Sequence, residues 1–157
     1  MYEGITNYFT IETIYMWLNL GVIPFWVVLL IFSQSKICNF FVTSIFPFFI
    51  LTIVYIYLIY FIFKTDYNFT SNFELYLGLD NLKALFNNKE FIIIFWAHFI
   101  SINLFCGGWI IRDSQKYVIP RSLIFFPLLF TYFIGPVGIF LYWLIRIFFA
   151  KKISLYD

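Results

Sequence analysis

The chain of 157 residues is 63% hydrophobic and only 11% charged, with a mean hydropathy of +0.91. Soluble domains carry about 25% charged residues, so a soluble globular fold is excluded and the chain reads as an integral membrane protein. Its net charge of +2 is scattered, with no run of Lys and Arg, which leaves nucleic-acid binding without an electrostatic footprint.

In chain order, Met1 to Thr10 holds Glu3 and no Lys or Arg, unlike a signal or transit peptide. A first helix that stays in the membrane is expected from about Ile11 to Phe32, with Pro24 kinking its middle. The short polar link Ser33 to Lys36 leads to a second span, about Phe40 to Phe63, with Pro47 in its first third. So short a link makes these two helices antiparallel neighbours. Between Thr65 and Glu90 lies the one long polar stretch. There Leu79, Leu82, Leu85 and Phe86 recur at helical spacing opposite Asp80, Asn81 and Lys83, which predicts an amphipathic helix in the membrane interface or a lid over a cavity. A third span covers about Phe91 to Ile111. The fourth, about Leu123 to Phe149, contains Pro127 and the run Gly135-Pro136-Val137-Gly138, which bends or unwinds it near mid-membrane.

The expected fold is therefore all-α: one integral membrane domain over residues 1–157, a four-helix bundle with kinked helices and an interfacial helix between spans two and three. In this arrangement Lys64, Lys83, Lys89, Arg146, Lys151 and Lys152 share the side of both termini, against Lys36, Arg112, Lys116 and Arg121 on the other. Six cations against four place the termini weakly on the cytoplasmic side. Cys38 and Cys106 share no CxxC or metal-ligand spacing and read as buried thiols. The many Phe residues match the codon bias of an AT-rich genome, so no single Phe argues for a pigment.

His98, the one histidine, stands inside the third span. An ionisable group at membrane depth is costly and normally faces a protein interior, a cavity or a ligand. His98 thus reads either as an interhelical hydrogen bond or as a reactive, ligand-binding group, with Tyr55, Tyr57 and Tyr60 of the second span as partners. Asn103 is turned about 140° from His98 around the helix and reads as interhelical glue. Arg112 and Asp113 read as membrane-boundary charges, paired with each other or with headgroups. Arg146 reads as a side chain snorkelling to the surface. No nucleophile–base pair, phosphate loop or metal set is visible.

Phe95-Trp96-Ala97-His98-Phe99, then Asn103-Leu104-Phe105-Cys106-Gly107-Gly108-Trp109-Ile110, then Asp113 form a pattern that resembles the plant abscisic-acid-deficient-4 (neoxanthin synthase) family. Ile23-Pro24-Phe25, Val54 to Tyr60 and Gly135-Pro136-Val137-Gly138 fit the same family in order and spacing. The resemblance implies a multi-pass protein of carotenoid metabolism in a bacterial inner membrane or a plastid membrane. In plants its relatives are required for an isomerisation that opens a carotenoid epoxide to an allene, which needs one proton delivered to the epoxide oxygen and another removed from an adjacent carbon, with no redox cofactor. By this resemblance His98 and Asp113 are the catalytic candidates, and Trp96, Asn103, Tyr55, Tyr57, Tyr60 and Pro136 the substrate-binding ones. Implied partners are membrane lipids, a carotenoid or polyisoprenoid ligand, and a second copy or partner enzyme. Asn103 and Gly108 stand where the family usually has Asp and Arg. A mechanism that uses that Asp has no counterpart here, since an amide cannot exchange a proton as a carboxyl does. The alternative is a non-catalytic carotenoid-, quinone- or lipid-binding or assembly protein.

Overall fold

The computed structural model describes residues 9–65 and 67–154, and every regular element among them is helical. The α-helices are α1 (Ile11–Ile31), α2 (Lys36–Phe41), α3 (Phe46–Phe63), α4 (Leu79–Leu85), α5 (Lys89–Lys116), α6 (Arg121–Phe133) and α7 (Gly135–Ala150); a 3₁₀ helix covers Phe69–Tyr76. Three stretches are long and apolar enough to cross a membrane: α1, α2 with α3, and α5.

Local chemistry sets the boundaries. Thr10 opens α1 by accepting the Thr13 N–H on its hydroxyl, Ser35 caps α2 through Cys38 N–H, and Asn88 caps α5 through Phe91 N–H. The predicted second span is interrupted. Pro47 falls in the first turn of α3, where its missing N–H costs nothing. Proline also disfavours helix in the residue before it, and a bend at 43–45 separates α2 from α3. The predicted interfacial segment forms α4, flanked by the 3₁₀ helix; of its apolar residues only Leu85 is buried.

Two compact units emerge: residues up to Gly21 with Phe49–Ile100, and Val22–Phe48 with the residues from Ser101 on. In the first, Lys89 pairs with Glu12 at 3.1 Å, and Trp96 Nε1 donates to Asn19 Oδ1 at 3.2 Å. An aromatic cluster of Phe86, Phe91 and Phe95 joins α4 to the start of α5.

The second unit corrects the predicted fourth span. Ile134 leaves helical geometry (φ −142°, ψ 79°), and α7 folds back beside α6. Gly138 is so close to α6 that a Cβ there would run into Thr131 and the Pro127 carbonyl. Along α5 the contacts keep a constant register: Asn103 meets Gly135, the Trp109 ring meets Tyr142 edge-on at 5.5 Å, and Asp113 meets Arg146. Hence α7 runs parallel to α5, while α6, reaching Asn103 through Tyr132, runs antiparallel to it. Pro136 supplies the reason for the break. It lacks the N–H that would bond Tyr132 O, four residues earlier, in a continuous helix; that carbonyl is met instead by Asn103 Nδ2, at 3.5 Å. The residues from 123 to 149 are thus a helical hairpin and not one span.

Candidate functional site

The strongest chemistry in the second unit gathers around Asp113. A carboxylate in the apolar C-terminal half of α5 needs donors to offset its desolvation. It has two, both on Oδ2: Arg146 Nε at 2.7 Å and Tyr142 hydroxyl at 2.6 Å. The three side chains are nearly sealed, with Asp113 9% exposed, Arg146 2% and Tyr142 fully buried. The rest of the guanidinium is equally occupied. Nη1 donates to the Lys152 and Ser154 carbonyls, Nη2 donates to the Tyr117 hydroxyl, and the group lies 4.9 Å from the Tyr117 ring centre. Such a network fixes the carboxylate in one place.

Asp113 also borders a cavity of about 420 Å³. One wall is a single face of α5, carrying Phe105, Gly108, Trp109, Arg112 and Lys116; Val42, Thr43 and Phe48 form the other. The lining changes from aromatic rings around Phe105 and Phe48 to cations at Arg112 and Lys116. Gly108 leaves room, because a Cβ there would meet only the Val42 carbonyl at 3.8 Å. An apolar pocket with a few converging polar groups is the usual form of a small-molecule site.

The other sequence candidates fall elsewhere. His98 is exposed, on the outward stripe of α5 with Phe95, Ile102 and Phe105. Its ring centre is 6.5 Å from that of half-buried Tyr55. Fifteen residues of one helix separate it from Asp113, about 22 Å, so the two catalytic candidates do not share a site. Tyr57 stacks on Phe61, and exposed Tyr60 lies beneath Lys64. Trp96 is tied to Asn19 and stacked on Phe99. Pro136 is exposed at the hairpin turn.

Asn103, 4% exposed, bonds Tyr132 O and sits against Gly135. Gly108 lines the cavity against Val42, so Asn103 and Gly108 have different neighbours. Arg146 and Tyr142 were missed. Arg146 does not snorkel to the surface, and Asp113 pairs with it, not with Arg112. The signal was present in the sequence: one acid and one base embedded in apolar helices, where buried charges find each other. Cys38 and Cys106 are free, and no group of three or more His, Cys, Asp or Glu converges among the described residues.

Compared with known proteins, residues 13–142 match the family described as ABA DEFICIENT 4-like. No curated protein and no solved structure matches the chain.

Proposed function

The chain belongs to the ABA DEFICIENT 4-like family, and on that premise we propose that it is a membrane protein of carotenoid metabolism whose ligand site is the cavity beside Asp113. The observation that carries this reading is a fixed, nearly buried carboxylate at the wall of an aromatic-lined cavity. The ligand is a carotenoid or related polyisoprenoid, with its oxygenated end ring in the cavity and its chain extending into lipid. The reaction is an epoxide isomerisation by proton transfer. Asp113 takes a proton from the carbon next to the epoxide, the C–O bond opens as the new double bond forms, and the oxygen receives a proton at the cationic end of the cavity, where Lys116 supplies the ammonium group.

A second reading draws on the same bonds. Tyr142 and Arg146 both donate to Oδ2 and hold that oxygen in a structural network, which favours a protein that binds a polyene without altering it. Pigment chromatography from a carotenoid-producing bacterial host separates the two. The catalytic reading expects a new pigment with the intact chain, its loss with Asp113→Asn or with the cavity-filling Gly108→Leu, and its persistence with His98→Ala. Unchanged pigments, with a carotenoid that co-purifies in detergent and is lost from Gly108→Leu, establish binding alone. If no carotenoid is altered or retained, both readings fail.

A further inference from the structure

We infer that the chain crosses the membrane three times and that the Asp113 cavity lies at the cytoplasmic end of the protein (the stromal end in a plastid). The α6–α7 hairpin is the starting point. Helices of 13 and 16 residues reach about 20 and 24 Å, each short of the roughly 30 Å of hydrocarbon. The hairpin starts just beyond the C-terminus of α5, turns at the level of Asn103 and returns along α5 until Arg146 reaches Asp113. Both of its ends therefore lie at one membrane face. A single fourth span would have carried Arg146, Lys151 and Lys152 to the opposite face.

This fold-back re-sorts the charges. Gln115 Nε2 donates to Ser33 O and Asn39 Oδ1, and Gln34 Nε2 donates to Ile119 O, so the loop before α2 is tied to the end of α5. Lys36, Arg112, Lys116, Arg121, Arg146 and the pair Lys151–Lys152 all collect at this end of the second unit. Only Lys64, Lys83 and Lys89 remain of the ten cationic side chains. The count of six against four becomes three against seven, and the preferred side reverses. Loops rich in Lys and Arg stay on the side from which a membrane protein is inserted. An odd number of crossings then puts Thr10 and Lys151 on opposite faces. A ligand whose polar end binds beside Asp113 enters from the cytoplasmic leaflet; that last step rests on the proposed function, whereas the topology does not.

The test is single-cysteine labelling in intact bacteria. In a Cys38→Ala, Cys106→Ala background, Lys83→Cys and Ile153→Cys are probed with a membrane-impermeant maleimide before and after permeabilisation. Both native positions are exposed. Lys83→Cys is expected to react in intact cells, and Ile153→Cys only after permeabilisation. Reaction of both in intact cells, or of neither, overturns the hairpin; reaction of Ile153→Cys alone overturns the orientation. Fusing green fluorescent protein or alkaline phosphatase after the C-terminus of the unsubstituted chain repeats the measurement without a mutation. Fluorescence without phosphatase activity is expected, and the reverse overturns the inference. Neither readout involves pigment, so a failed carotenoid assay and a failed topology are told apart.

Discussion

Helix α5 carries His98 in one half and Asp113 in the other, and the two halves treat these side chains in opposite ways. In the N-terminal half Ile92, Phe95 and His98 are exposed, and the imidazole ring centre lies 6.5 Å from that of Tyr55. In the C-terminal half Asn103, Leu104, Ile110, Ile111, Asp113 and Ser114 are all buried, and Asp113 is held by two donors. The contrast separates depth from burial. Hydropathy reports that a residue lies in an apolar segment, but the neighbouring helices decide whether it faces protein. A buried carboxylate needs donors to offset its lost hydration, and the hairpin brings Arg146 and Tyr142 to Asp113.

The largest effect is expected where that contrast is sharpest. Arg146→Met leaves Asp113 nearly buried without its countercharge, and breaking such a pair from one side costs about 3–5 kcal/mol. Thermal unfolding in detergent should show a large drop for Arg146→Met. Combining it with Asp113→Asn should recover much of the loss, because an amide needs no countercharge. A single variant as stable as the parent would show that water already solvates the carboxylate.

Second in size is the hairpin contact that encloses the pair. At Gly138 a new Cβ would collide with the Thr131 backbone nitrogen and the Pro127 carbonyl, neither of which can swing aside. Gly138→Ala should therefore destabilise by about 1–3 kcal/mol, the usual range for overpacking. Gly21 provides the opposite sign. Nothing lies within 4 Å of its Cβ position, and Ala is worth about 0.5–1 kcal/mol over Gly within a helix, so Gly21→Ala should raise the unfolding midpoint. Equal shifts for both glycines would mean that α6 and α7 are not in close contact.

Much of this was legible in the residues and part was not. The first and third spans could be read because uninterrupted apolar runs have no rival explanation, and their polar caps, Thr10 and Asn88, stand at the observed starts. The hairpin could not be read from hydropathy. One helix of membrane length and two half-length helices folded together have the same apolar composition. Only the coincidence of Gly135, Pro136 and Gly138 marks the turn, and a kink explains those residues equally well in isolation. The Asp113 site was half legible: the acid was picked out, but its partner lies 33 residues away, and no local spacing links them. The exposure of His98 was not legible, for a physical reason. Rarity and depth identify a costly residue, yet neither carries information about which face of the helix it occupies.

The smallest effect is expected at His98. Its ring is exposed and adds one aromatic contact, so His98→Ala should change the unfolding free energy by no more than about 0.5 kcal/mol, as for surface positions elsewhere. It should also leave untouched any pigment change that depends on Asp113, because about 22 Å of helix lies between them. Measuring both quantities on one preparation makes the comparison decisive. A His98→Ala protein that unfolds like the parent but no longer alters or retains carotenoid would return the reacting centre to the outward face. The ligand would then lie against lipid-exposed Phe95 and Ile102, and the Asp113–Arg146 pair would serve only to hold the hairpin in place.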